Sequence, residues 1–336
     1  MKAAVIHEFK QPLVVQDVDV PSPNGEEVLI KVEACGVCHS DLSIVEGEWA
    51  QLKRLLKLPL VPGHEVVGRV VKTGNGVTHL AVGDRVGVAW LHWSCGVCEL
   101  CQEGLENLCP KQTITGASVD GGFAEFIKAK ASHALKVPEK LSSEEAAPLF
   151  CAGVTTYRAV KNSGIQHGQR LAVFGIGGLG HLAVQIAKTF GAHVIAVDIS
   201  DDKLKLARQL GADQTVNAST EDVGKAFRNL GGVHAAIVTS SSKAAYAQAF
   251  YAVRPAGALM VVGLPADDIA FPAIMMREIR IRSVATGTRD DQRAVLDLAG
   301  AGAIRCLVET CDLTAINETL DKMRRGEITG RIAIKM

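Results

Sequence analysis

The hydrophobic pattern of the chain changes character near residue 150. Before that point, short runs alternate apolar and polar residues and are broken by glycine: EEVLIKVEA, HEVVGRVVKTG, VGDRVGVAW and GGFAEFIKA. A period of two between turn residues predicts a β-rich domain of barrel type. From about 153 to 286 the runs LAVF, HVIAVD, HAAIVT, ALMVVG and IRIRSV are separated by helix-period stretches such as SDDKLKLARQLGA. Such alternation predicts an α/β domain, a doubly wound parallel sheet. After 287, DDQRAVLDLAGAGAI and LTAINETLDKMRRG read as helices and RIAIKM as a short strand. This tail is expected to return to the first domain. The predicted organisation is 1–152 with 287–336 as one domain and 153–286 as the other, with the active cleft between them.

Composition narrows the classes of function. With 336 residues, 48% hydrophobic and 21% charged, the chain can build two ordinary cores. Lys plus Arg (36) equals Asp plus Glu (36), so nothing marks a nucleic-acid or anionic-membrane partner. No apolar run reaches the ~18 residues of a membrane span. The start, MKAAVIHEFK, has no apolar signal core, and a cytoplasmic location is expected.

Nine cysteines occur, at 35, 38, 95, 98, 101, 109, 151, 306 and 311. In a reducing compartment, crowding of this kind reads as metal binding rather than disulfides. Cys95, Cys98, Cys101 and Cys109 fall within SCGVCELCQEGLENLC. Four thiolates at these spacings can close a tetrahedron around zinc and leave no open position, which predicts a structural site. A second set is dispersed over ACGVCHSDL (Cys35, Cys38, His39, Ser40, Asp41), VPGHEVVG (His64, Glu65) and LFCAGVTTY (Cys151). A cysteine from each end and an imidazole between them would leave a fourth position free for substrate, as in a catalytic zinc site.

The run RLAVFGIGGLGHLAVQIAKTFGAHVIAVD reads as strand, turn, helix and strand, with GIGGLG at 175–180 opening the helix. This is the dinucleotide-binding fingerprint in its proper context. Gly175 permits the tight turn, Gly177 lets the backbone approach the pyrophosphate, and Gly180 lets helix and strand pack closely. The helix N-terminus offers its N–H groups to the phosphates. Asp198 ends the second strand, where a carboxylate accepts from ribose hydroxyls and repels a 2′-phosphate; NAD is therefore expected over NADP. Lys203 lies one helical turn further on, within reach of the ribose.

Taken in order, CGVCHSDL, PGHEVVG, CGVCELCQEGLENLC, FCAGVTTY, GIGGLG with Asp198, and GRIAIKM resemble the zinc-dependent medium-chain alcohol dehydrogenases over essentially the whole chain. The likeness is greatest to the bacterial and yeast-like members. It implies a GroES-like catalytic domain plus a Rossmann domain, and commonly a homotetramer, with a homodimer the alternative. By resemblance, Cys38, His64 and Cys151 hold the catalytic zinc, Cys35 is a packing residue, Asp41 orients the histidine and Glu65 lies near the metal. Ser40 takes the hydroxyl proton. His39 and Arg331 face the cofactor pyrophosphate. Thr155, Ile176, Gly178 and Leu179 join the glycines in holding NAD, and Val262 and Leu264 meet its nicotinamide end. Trp49, Trp90 and Leu91 line the substrate pocket.

Two features depart from the family pattern. Ser43 stands where a relay histidine is common, and GEWAQLKRLLKLPLVPGHE is about three residues longer than the usual form. The implied activity is reversible oxidation of a small primary alcohol to an aldehyde by NAD, with two zinc ions per chain. A polyol or aryl-alcohol dehydrogenase is an alternative on the same scaffold. A non-catalytic zinc and nucleotide scaffold is another, and it would need only one zinc.

Overall fold

The strand Glu27–Val37 organises the first of two units in the computed structural model, which describes residues 1–48, 56–265, 268–270 and 276–336. This unit comprises 1–151, 288–300 and 306–336. Val28, Ile30 and Val32 alternate along the strand and are buried, as a period of two requires. One edge of the strand pairs antiparallel with Glu65–Thr73. The other is shared by Phe126–Lys130 near its start and by Arg331–Lys335 near its end. The C-terminal strand therefore completes the first unit, and Val308–Asp312 lies parallel beyond it. Arg85–Val88 and Ala134–Lys136 extend the sheet on the opposite side. The ladder between Glu27–Val37 and Glu65–Thr73 shifts register between Leu29 and Ile30 and again between Val32 and Ala34. Such bulges add twist and let a sheet curl.

This register builds the site. Gly36 lies opposite Glu65, so Cys38 and His64 emerge from neighbouring strand ends. The approach of the two strands depends on glycine: a Cβ at Gly68 would stand 2.1 Å from the Lys31 carbonyl oxygen.

The second unit comprises 152–287 and 301–305. Its six strands are all parallel, in the order Gln214–Asn217, His193–Asp198, Arg170–Phe174, Val233–Val238, Val253–Val261, Arg280–Ser283. Numbered within the unit this is 3-2-1-4-5-6, the doubly wound order whose direction reverses beside the first strand. The five apolar runs read from the sequence all become strands. Gln214–Asn217 is an addition, a short edge strand with Gln214 exposed and only Val216 and Asn217 buried. The helix Gly180–Thr189 buries Leu182, Ala183, Ile186 and Ala187, the face read from its pattern. One boundary differs from expectation: 301–305 belongs to the second unit. Gln185 ties it there, donating to the Arg305 carbonyl and accepting from the Arg305 N–H, both at 2.9 Å. No helix among the described residues is long and apolar enough to cross a membrane.

Candidate active site

Cys38, His64, Glu65 and Cys151 converge in the first unit, their ligand atoms all within 4.8 Å of one another and all four residues buried. Cys38 caps the helix His39–Glu46, where Asp41 Oδ2 accepts its N–H at 2.9 Å. The other Asp41 oxygen accepts from Gly63 N at 3.2 Å and lies 3.0 Å from His64 Nδ1. A carboxylate only accepts, so Nδ1 donates to Asp41 and Nε2 is the nitrogen left for a metal. That Nε2 is buried with no partner among the described residues. The Trp90 ring packs against the imidazole in a T-shaped contact, centroids 4.9 Å apart. Cys151 follows the turn Ala147–Phe150, which brings its sulfur to 3.9 Å from that of Cys38. Zinc–sulfur bonds of ~2.3 Å in a tetrahedron put two sulfurs ~3.8 Å apart. Spacing, donor set and the orphaned imidazole nitrogen all fit that ion.

The electrostatics point the same way. The hydrogen bond between the two sulfurs pulls the Cys38 thiol well below its ordinary range and pushes that of Cys151 well above. A divalent ion would take both as thiolates. Burial pushes Glu65 up to about 8, against the pull of Arg331. The Arg331 guanidinium donates to Glu65 Oε1, a buried pairing that the sequence reading missed. Glu65 Oε2 has no hydrogen-bond partner among the described residues and rests against bare backbone, since a Cβ on Gly36 would lie 1.9 Å from it. Cys35 is fully buried in the apolar core. Ser40 Oγ lies 3.7 Å from the Cys38 sulfur. His39, in the same first turn, is exposed. Ser43 donates to Glu48 Oε2 at 3.0 Å. Leu91 is buried in the strand Leu91–Trp93, and Trp49 lies outside the described residues.

The four clustered cysteines also meet. Cys109 is 3.5 Å from Cys95 and 3.9 Å from Cys98, and Cys95 is 4.0 Å from Cys101. The N–H groups of Val97 and Cys98 hold the Cys95 thiol down to about 6, poised to lose its proton to a metal. Burial, with Cys98 beside it, lifts Cys101 to about 12. The lobe is anchored by Glu106, which lies between the third and fourth cysteines. Arg289 Nε donates to both its oxygens at 3.0 Å and Nη2 to Oε2 at 2.5 Å, and the Arg289 backbone N–H adds a fourth bond at 2.8 Å. Glu106→Gln is expected to lower the stability of the first unit by about 2 kcal/mol, the worth of a charge-assisted bidentate pair. An unchanged denaturation midpoint would contradict this anchoring role.

In the second unit, Gly175 takes φ of +93°, open to glycine at little cost. A Cβ on Gly180 would stand 1.9 Å from the Gly175 carbonyl oxygen, whereas one on Gly177 would meet nothing within 4 Å. The turn thus closes on Gly180 and leaves space at Gly177. Asp198 has a task that the sequence did not reveal. It accepts from Ile176 N at 2.6 Å, Ile199 N at 2.8 Å and Ser200 N at 3.1 Å, which ties the glycine turn to the second strand. Thr239, also missed, donates to the Gly175 carbonyl at 2.7 Å. Gly178 and Leu179 lead into the helix that begins at Gly180. Lys203 is half-buried in the first turn of Asp201–Gln209, and Thr155 is buried on the helix Ala152–Ser163. Val262 commits its N–H to the Val238 carbonyl, and Leu264 is exposed.

Comparison with known proteins agrees with this geometry. The family model for the alcohol dehydrogenase GroES-like domain matches residues 24–139, and that for zinc-binding dehydrogenases matches 178–301. An alcohol dehydrogenase of Geobacillus stearothermophilus is 48% identical over 339 aligned positions, covering 100% of both chains. The crystal structure of the alcohol dehydrogenase from the archaeon Aeropyrum pernix superposes with a TM-score of 0.92 at 36% identity, covering 100% of each chain. Acetophenone reductase of Geotrichum candidum, solved in complex with NAD, gives a TM-score of 0.89 at 34% identity, covering 100% of this chain and 97% of its own. Whole-length similarity of this order, on a fold that gathers Cys38, His64 and Cys151, means that the chain belongs to the zinc-dependent medium-chain alcohol dehydrogenases.

Proposed function

We propose that this chain interconverts a small primary alcohol and its aldehyde with NAD, and that it holds two zinc ions. One is carried by Cys38, His64 and Cys151, the other by Cys95, Cys98, Cys101 and Cys109. The observation that carries this reading is the convergence of two sulfurs and an unpartnered imidazole nitrogen, with Ser40 beside them. Bound zinc supplies Lewis acidity to the alcohol oxygen, and bound NAD accepts the hydride.

The chain's own residues do the rest. Asp41 fixes the tautomer and orientation of His64, a contribution typically worth 10–100-fold in metal affinity or activity. Ser40 Oγ accepts the hydroxyl proton. Ser43, three residues further along the same helix, shares its face and donates to the exposed carboxylate of Glu48. Asp198 bears negative charge where a 2′-phosphate would sit, and at the same time secures the turn through Ile176.

A steady-state assay over a graded alcohol series with both cofactors tests the reading. Turnover of ethanol or propanol with NAD is expected. Much faster turnover of sorbitol or cinnamyl alcohol would replace the substrate assignment. Asp198→Ser is expected to reduce the preference for NAD over NADP at least tenfold and to raise KM for NAD. An unchanged cofactor preference would show that discrimination lies elsewhere. Light scattering reads the subunit count, for which a homotetramer is expected.

A further inference from the structure

Three side chains from three elements tie the glycine turn at 175–177. Thr239, which follows the strand Val233–Val238, donates through Oγ1 to the Gly175 carbonyl at 2.7 Å. Asp198, at the end of His193–Asp198, accepts from Ile176 N at 2.6 Å. A carbonyl and the N–H that follows it share one rigid plane, so these two bonds fix a single peptide group at both ends. The third tie comes from the helix Gly180–Thr189. His181 gives the Gly177 carbonyl two bonds, from its backbone N–H at 3.1 Å and from Nδ1 at 3.0 Å. A carbonyl only accepts, so Nδ1 is the donor.

This second peptide differs from the first. Its oxygen takes two bonds, one for each lone pair, while its N–H, on Gly178, has no hydrogen-bond partner among the described residues. Carbonyl and N–H point in opposite directions across a trans peptide. Pinning the oxygen therefore fixes the line along which the Gly178 N–H points. The helix supplies the backbone bond whatever residue stands at 181; the imidazole bond is particular to histidine. His181 is 0% exposed, in a row with the fully buried Leu182, Ala183 and Val184, where an apolar side chain would avoid the cost of burying a polar ring. Its own turn of helix is held as well. Gln185 Nε2 donates to the His181 carbonyl and to the Arg305 carbonyl, both at 2.9 Å, and Oε1 accepts from Arg305 N at 2.9 Å.

We propose that His181 is a positioning residue for dinucleotide binding: its imidazole holds the Gly177 carbonyl so that the Gly178 N–H is aimed in advance at the pyrophosphate. The proposal rests on the reading of this turn as the NAD site. Its effect is preorganisation, which raises affinity by removing an ordering cost rather than by adding a contact.

Calorimetric titration of the full-length protein tests it with two ligands, ADP-ribose, which carries the pyrophosphate, and adenosine, which has none. His181→Leu keeps a buried side chain and removes the donor; affinity for ADP-ribose should fall at least tenfold and that for adenosine less than twofold. His181→Asn places an amide nitrogen near the position of Nδ1 and should restore most of the lost affinity. Equal losses for the two ligands in His181→Leu would mark a purely structural role and overturn the proposal. So would parent-like binding of ADP-ribose by His181→Leu, or a His181→Asn variant no better than His181→Leu. Where adenosine binds too weakly to titrate, the comparison of the two variants decides. A measurement on the parent needs no variant to fold: with ¹⁵N-labelled histidine, Nδ1 of His181 should carry a slowly exchanging proton, and its absence would overturn the proposal. Failure of the parent itself to bind ADP-ribose would instead remove the dinucleotide reading on which the proposal rests.

Discussion

Cys151→Ser is expected to lower kcat/KM for alcohol oxidation by ~10³-fold or more, equivalent to at least ~4 kcal/mol of lost transition-state stabilisation. Loss of a group that merely orients a ligand costs 10–100-fold, and Cys151 is itself a proposed ligand. Its sulfur lies 3.9 Å from that of Cys38, so removing it leaves Cys38 and His64 with an incomplete donor set. Elemental analysis should show bound zinc falling from two ions per chain to one, with far-ultraviolet circular dichroism unchanged. A variant retaining a tenth of the parent activity would remove this cluster from the chemistry.

Cys109→Ser should act in the opposite order, on stability before activity. Cys109 is the most buried of the four clustered cysteines, 1% exposed, and its sulfur approaches two of the others. Structural zinc in small peptides contributes an apparent ~10–16 kcal/mol of folding energy, and the 95–109 lobe has little apolar core to replace it. Thermal denaturation should shift down by more than ~10 °C, and limited proteolysis should cut within the lobe. Turnover measured well below the new midpoint should persist in part. A variant that melts like the parent yet is inactive would contradict a structural role.

What the sequence disclosed, and what it hid, follows from the range of the interactions involved. The runs LAVF, HVIAVD and HAAIVT are legible because strands buried on both faces are apolar throughout. GIGGLG is legible because its constraints act within six residues. The cysteine spacings are legible for the same local reason. Gln214–Asn217 and Val308–Asp312 were not, because edge strands with exposed polar positions lack an apolar run. The Glu65–Arg331 pair spans 266 positions and the Glu106–Arg289 pair 183, so neither leaves a local pattern. The three N–H groups held by Asp198 were hidden differently: the residue was visible, but the ribose role expected of it accounted for it without the turn.

The two glycines at 177 and 180 answer to different masters. At 180 any side chain would collide with the chain's own carbonyl, while at 177 it would enter empty space that the fold does not need. A descendant of this protein released from dinucleotide binding would keep the glycine at 180 and let 177 drift. Inheritance at 177, and not at 180, would then report whether such a lineage still uses its nucleotide.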